Sequence, residues 1–257
     1  RKNTLRNEEL SVETEKTDFP PDCYILRKPG NITESEDFKK GLFHVQDLSS
    51  QLCCYVLSPQ KGETVIDVCS APGGKTMTMA QMMENDGRII SCDIHEHKLK
   101  LINDTAERLG IGIVETQLRD AADKNAQLPL ADKILCDVPC SGFGVTGKKP
   151  EIRYKDEKEI SSLPALQTDI LENSCRFLKK GGKLVYSTCT FAPEEDEMQV
   201  GAFLARHPEF ELLDCGAGFG QPGEENRCGE YRYEVKKTRR IWPCDGGEGH
   251  FMAKFRK

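Results

Sequence analysis

The sequence predicts an α/β fold built on a mostly parallel sheet, and three observations lead there. Apolar strand runs alternate with helical periodicity from about residue 64 to residue 213, a pattern that implies parallel pairing through right-handed crossovers. A glycine turn, Pro72-Gly73-Gly74-Lys75, joins one strand to the next helix. Acids and thiols (Asp93, Asp120, Asp137, Cys140 and Cys189) sit at or just past strand ends. The carboxyl ends of the strands in an open α/β sheet line a common crevice.

Residues 1–40 are polar and interrupted by Pro20-Pro21 and Pro29-Gly30, which reads as a small annex before a main domain at 41–257. The apolar spacing of Leu48–Leu57 predicts a helix that stops before Pro59. The main domain then reads as strand Thr64–Cys69, helix Gly74–Glu84, strand Arg88–Asp93 and helix Glu96–Leu109, ended by Gly110. Strands Ile113–Leu118 and Asp132–Val138 follow, then a long helix Glu159–Leu178 closed by Gly181-Gly182. Strand Lys183–Cys189, helix Glu194–Arg206 and strands Phe210–Leu213 and His250–Phe255 complete the pattern, with Gly216–Arg240 read as a loop.

A chain of 257 residues can bury a full α/β core. No apolar run approaches the roughly 18 residues of a membrane span, and the polar start at Arg1 is not a leader. That start lacks Met, so a fragment is expected. The twelve cysteines include no CxxC pair, and Cys69, Cys92 and Cys136 lie in apolar strand runs. This argues against a disulfide framework and a structural metal site, and points to a reducing cytoplasm. The net charge of −6 weighs against nucleic acid as a partner. Local clusters weigh the other way: Arg1/Lys2/Arg6, Arg27/Lys28, Lys39/Lys40, Lys148/Lys149/Arg153/Lys155 and Lys236/Lys237/Arg239/Arg240.

The glycine turn is neither a Walker A loop nor GxGxxG. It lets backbone approach a ligand and opens a helix whose amino end suits an anionic group, or it is only a tight turn. Asp93 stands twenty-six positions beyond Asp67, where such sheets place an acceptor for ribose hydroxyls; the other role open to it is a helix cap. Lys98 backs the same site or lies on the surface. Asp120 and Asp137 point into the crevice or solvate loops. Together these residues describe a nucleoside-containing cofactor lying across the strand ends. Cys189 and Cys140 each read equally as a nucleophile or as a small core residue. A helix start near Pro193-Glu194 would lower the Cys189 thiol.

Three segments carry a resemblance: Asp67-Val-Cys-Ser-Ala-Pro-Gly-Gly-Lys75, Asp137-Val-Pro-Cys140-Ser-Gly and Tyr186-Ser-Thr-Cys189-Thr. They resemble signature motifs of the RNA (cytosine-5) methyltransferases. Gly41–Ser50 is similar to the segment preceding the catalytic core in bacterial 16S ribosomal RNA members, and Lys149-Pro-Glu-Ile-Arg153 resembles the Sun (RsmB) branch. Phe191-Ala-Pro-Glu-Glu195 and Gly247-Glu-Gly-His-Phe251 are also similar to the sister RsmF branch.

The resemblance implies a Rossmann-like S-adenosylmethionine-dependent sheet, mostly parallel with an antiparallel last strand, plus the small amino-terminal annex. It implies that Cys69, Ser70, Ala71, Pro72, Gly73, Gly74 and Lys75 form the cofactor loop, with Asp93 and Lys98 at the ribose and Asp120 near the adenine. Asp137 falls between the methionine moiety and the target base. Cys189 matches the nucleophile, and Cys140 the cysteine that releases product. Lys75 helps place the base or caps its turn. Asp137 is expected to have a raised pKa.

The implied partner is 16S ribosomal RNA presenting a single-stranded or flipped cytosine. It meets a monomer, with Lys148, Lys149 and Arg153 at the rim. Transfer RNA is the alternative substrate, and a catalytically silent RNA- or cofactor-binding module is the alternative class. The Sun branch carries an amino-terminal RNA-binding domain with no counterpart here, which adds to the expectation of a fragment.

Overall fold

A computed structural model describes residues 14–17, 19–21, 23–26, 30–125, 127–245 and 247–257. The basic clusters Arg1/Lys2/Arg6 and Arg27/Lys28 lie outside them. An antiparallel pair, β1 (Thr14–Lys16) and β2 (Tyr24–Leu26), stands apart from the main sheet. It rests on the main domain through the Tyr55 hydroxyl, which donates to the carbonyl of Pro21 at 2.9 Å, and through Phe19, 5.5 Å from the Tyr55 ring.

After a single turn, α1 (Glu36–Lys39), comes α2 (Leu48–Leu57). Asp47 caps α2 by accepting from Ser49 N at 2.9 Å. The alternating part follows as β3 (Thr64–Asp67), α3 (Gly74–Met82), β4 (Arg88–Asp93), α4 (Glu96–Leu109), β5 (Val114–Leu118) and β6 (Ala131–Asp137). Then come α5 (Glu157–Cys175), β7 (Leu178–Thr188), α6 (Glu197–Arg206), β8 (Glu211–Leu213), β9 (Gln221–Pro222), β10 (Arg239–Ile241) and β11 (His250–Arg256).

The main sheet runs β5-β4-β3-β6-β7-β11-β10-β9, with β8 pairing to β11. From β5 to β7 every pairing is parallel. β11 is antiparallel to β7, as are β8 and β10 to β11 and β9 to β10. The chain leaves β3 toward β4 and β5, then returns past it to β6 and β7. The switch point therefore lies between β3 and β6, where α/β sheets open a crevice.

Strand residues alternate between two cores. Ile66, Ile90, Ile134 and Tyr186 face α5 and α6, where Ile170, Leu171 and Phe203 meet them. Val65, Ile89, Leu135 and Val185 face the other way onto Leu52 and Leu57 of α2, Met79 of α3 and Met83 just past its end. In α4 the buried residues Leu99, Ile102 and Ala106 form a single stripe, and Gly110 ends the helix at φ +68°.

Two stretches differ from the sequence expectation. Phe177 and Leu178 do not extend α5; Leu178 begins β7, and Gly181-Gly182 lie inside that strand beside a register shift. A short apolar run suits a strand and a buried helix end alike, so periodicity could not separate them. The Gly216–Arg240 stretch contains β9 and reaches β10, and Arg239 and Arg240 at its basic end are buried while Lys236 stays exposed. Arg240 is 2% exposed and pairs with Asp196 at 2.9 Å and Glu197 at 2.7 Å.

Candidate active site

The site grows from the turn after β3. Asp67, which ends that strand, is 1% exposed; its Oδ2 accepts from Thr76 Oγ1 at 2.7 Å. Burial pushes its carboxyl up to about 7. Ser70 N and Oγ both donate to the carbonyl of Cys92, at 2.8 and 2.9 Å, which fastens the Cys69–Lys75 turn to β4. Gly73 sits at φ +103°, and a Cβ there would lie 3.1 Å from Ile102 Cγ1 of α4. The backbone conformation favours glycine there, and a side chain would also crowd Ile102. Gly73 is also the cap residue of α3, and no side chain caps that helix end. Its amino terminus is open to an anionic group.

Asp93, at the end of β4, is 8% exposed, and its Oδ1 accepts from His95 N at 2.9 Å. It braces the turn before α4, whose cap position is held by His95. Lys98 lies half-buried in the first turn of that helix. Asp120, just past β5, is exposed and accepts from Ala122 N at 2.9 Å. The turn, Asp93 and Asp120 thus lie at the carboxyl ends of three adjacent parallel strands.

Lys75 does not cap its turn. Its Nζ crosses to Asp137 Oδ2 at 2.6 Å and to Ser50 Oγ at 3.3 Å. Ser187 Oγ donates to Asp137 Oδ1 at 2.6 Å, and His250 Nε2 lies 3.7 Å from the same oxygen. Burial pushes the Asp137 carboxyl up, but the Lys75 ammonium and the hydrogen bonds outweigh it and hold the group below the usual carboxylate range. The expected raised pKa is therefore corrected: Asp137 is an anion. Burial, helped by Lys75, lowers His250 to about 4, so its imidazole is neutral. A cleft of about 1580 Å³ is lined by Lys75 and Asp137 together with Tyr24, His44 and Gln46.

The thiols of Cys140 and Cys189 meet at 3.2 Å, and Cys189 N donates to Cys140 Sγ at 3.3 Å. Either sulfur can be the donor in the thiol–thiol contact. That hydrogen bond lowers the pKa of Cys189 against the opposing effect of burial, while Cys140 is pushed up. The cause is not the one expected from sequence, because α6 begins only at Glu197.

The loops bearing the two cysteines are fastened to each other. Glu195 Oε2 accepts from Ser141 N at 2.9 Å and from Gln167 Nε2 at 2.8 Å; Ser141 Oγ meets Thr190 Oγ1 at 2.7 Å. Gly144 N donates to the carbonyl of Cys189 at 2.9 Å. Residue-level reading missed Glu195, Gln167, Ser187 and His250. Three of them fall inside the quoted segments and could have been found there; Gln167, on α5, carried no signal. Of the expected rim cations, Lys148 is occupied within the chain by Asp47 at 3.4 Å and Glu248 at 2.8 Å. Lys149 and Arg153 are exposed.

The model of the family "16S rRNA methyltransferase RsmB/F" matches residues 54–256. This chain belongs to the RsmB/F family. It is 42% identical over 203 residues to the probable ribosomal RNA small subunit methyltransferase B of Bacillus subtilis (strain 168), covering 78% of this chain and 45% of that protein. It is 34% identical over 245 residues to the ribosomal RNA small subunit methyltransferase B of Shigella flexneri, covering 92% and 52%. The chain spans about half the length of the curated RsmB/F relatives it matches.

Among solved structures, a methyltransferase homolog from Pyrococcus horikoshii superposes with a TM-score of 0.84 at 33% identity, covering 96% of this chain and 79% of that one. NSun6 from Pyrococcus horikoshii, determined with SFG, gives a TM-score of 0.77 at 34% identity, covering 89% and 56%. The RsmB/F assignment thus agrees with the mostly parallel sheet and its antiparallel last strand.

Proposed function

We propose that this chain transfers a methyl group from S-adenosylmethionine to carbon 5 of a cytosine in 16S ribosomal RNA, through a covalent adduct at Cys189. The observation that carries the reading is the thiol pair, Cys140 and Cys189, 3.2 Å apart beside the Lys75–Asp137 ion pair. Such a pair suits a reaction in which one sulfur attaches and must later leave.

The Cys69–Lys75 turn and uncapped α3 fit the amino-acid end of S-adenosylmethionine, with Asp93 and Lys98 at the ribose, Asp120 toward the adenine and Asp137 facing the reacting groups. A relative solved with SFG, an S-adenosylmethionine analogue, supports S-adenosylmethionine as the cofactor. When bound, S-adenosylmethionine supplies the methyl group. The residues of the chain do the rest. Cys189 Sγ adds to carbon 6 of the cytosine, which makes carbon 5 nucleophilic. Asp137, an anion held by Lys75, accepts a hydrogen bond from the amino edge of the base. After methylation the carbon 5 proton leaves to a water beside Cys140 Sγ, and the electrons of that C–H bond expel Cys189. A base paired in a duplex cannot enter, so the substrate cytosine is single-stranded or flipped out.

The chain acts as a monomer in a reducing cytoplasm. The test is to mix Cys140→Ala protein with RNA and S-adenosylmethionine and run a denaturing gel. A slow-migrating RNA adduct that disappears in Cys140→Ala/Cys189→Ala is the expected result. Purified 16S RNA, small subunits and transfer RNA are run in parallel. An adduct only with transfer RNA moves the substrate. No adduct with any of the three, despite measured cofactor binding, overturns the reading.

A further inference from the structure

The segment after the Cys140 loop carries a surface that the chemistry in the crevice does not use. Pro150–Tyr154 form a 3-10 turn in which only Ile152 is buried. Ile152 packs under the loop: a Cβ on Gly142 would lie 3.1 Å from its Cδ1. Lys155 Nζ donates to the carbonyls of Cys140 and Ser141, at 3.5 and 3.0 Å. The turn is thus fastened at two points to the loop that bears Cys140.

Its outer face is different. Tyr154 is 87% exposed, the most of any exposed large hydrophobic residue described. Lys149 and Arg153 flank it, exposed and without an ion pair among the described residues. Their neighbour Lys148 is already held by Asp47 and Glu248. Glu151 is the single acid of the turn, and the next one, Asp156, is engaged as the cap of α5, accepting from Lys158 N at 2.8 Å. Arg153 and Tyr154 share one short turn whose cap residue is Lys149, so two cations without ion pairs among the described residues and a bare aromatic ring fall on one segment of a chain of net charge −6.

We propose that Tyr154, with Lys149 and Arg153, forms a stacking subsite for an unpaired nucleotide of the RNA that neighbours the target base, a reading that rests on the function proposed above. An aromatic face accepts any base, because each has a π surface, and adjacent cations take the phosphates. Single-stranded RNA is thereby favoured over duplex, whose bases are already stacked. Because Lys155 joins the turn to the Cys140 loop, the flank is held beside the cysteine pair.

The test uses the full chain and fluorescence anisotropy with a labelled oligocytidylate, and a blunt RNA duplex as control. Tyr154→Ala should weaken oligocytidylate binding roughly tenfold, and Tyr154→Phe should stay within about twofold of the unsubstituted chain. Lys149→Glu/Arg153→Glu should weaken binding and flatten its salt dependence. Duplex binding should not respond to Tyr154→Ala, and S-adenosylmethionine affinity should be the same in every variant. Unchanged oligocytidylate binding by Tyr154→Ala, or no measurable binding by the unsubstituted chain, overturns the subsite. If S-adenosylmethionine still binds and the Cys189 adduct still forms, the methyltransferase reading survives that failure. If the unsubstituted chain binds no S-adenosylmethionine, both fall.

Discussion

Lys75 and Asp137 stand on opposite sides of the switch point, one opening α3 and the other closing β6, and meet at 2.6 Å. The contact keeps a largely buried carboxylate ionised where burial alone would neutralise it. It also joins the Cys69–Lys75 turn to the strand that leads to Cys140.

Replacing Lys75 with Met should therefore do more than remove a charge. Breaking a buried pair leaves an uncompensated ion and costs about 3 kcal/mol at neutral pH. Asp137 has a depressed pKa, so its contribution in the unsubstituted chain is present above the ordinary carboxylate range and lost as pH falls through the lowered value. In Lys75→Met the group should protonate at higher pH. Urea unfolding across pH measures both effects, and equal stability of the two proteins at pH 7 would refute the pairing energy.

The Cys189 thiol owes its lowered pKa first to the hydrogen bond with Cys140. Cys140→Ala should raise the midpoint of iodoacetamide alkylation at Cys189, read by mass spectrometry against pH. Cys140→Ser, which keeps a donor, should fall between. An unmoved midpoint in Cys140→Ala would mean that another group activates Cys189.

Glu195 joins the two cysteine loops through Ser141 N and Gln167 Nε2. Glu195→Ala leaves the buried Ser141 N unsatisfied, while Gln167 Nε2 keeps its bond to the Pro139 carbonyl, and should cost about 1–3 kcal/mol. Adduct formation should slow further than the stability loss explains, because the thiols are no longer held together. Glu195→Gln, which retains one acceptor oxygen, should recover most of the rate. Equal rates in all three proteins would remove Glu195 from the positioning of the cysteines.

His250 is 2% exposed, and its pKa falls from 6.5 to about 4. Between those values the unfolded chain binds a proton that the folded chain does not, so stability should decline as pH falls from 6.5 toward 4. The full effect is about 3 kcal/mol. His250→Phe should flatten that slope in chemical unfolding monitored across the same interval; an unchanged slope would assign it to other groups.

Local pattern was enough for most of the elements. The Glu96–Leu109 helix, with its apolar stripe and closing glycine, and strand Arg88–Asp93 were legible because periodicity and end signals act over a few residues. The glycine turn and the two cysteine segments were legible for the same reason. Leu178, Gly181 and Arg240 were misread because their settings depend on distant partners. Arg240 looks like a surface cation until Asp196 and Glu197 are brought against it.

By itself the sequence determined which residue types stand at the strand ends, and so the chemistry available there. Tertiary structure decided which of them touch. It brought two thiols 49 residues apart to 3.2 Å and made Asp137 an anion rather than a raised acid. It also buried Arg240 and paired the exposed Lys148 with Asp47 and Glu248, while leaving Lys149 and Arg153 exposed without an ion pair among the described residues. The physical reason is that burial and charge pairing oppose each other with effects of similar size. Their balance at a residue depends on its neighbours in space, and the order of residues along the chain does not specify those neighbours.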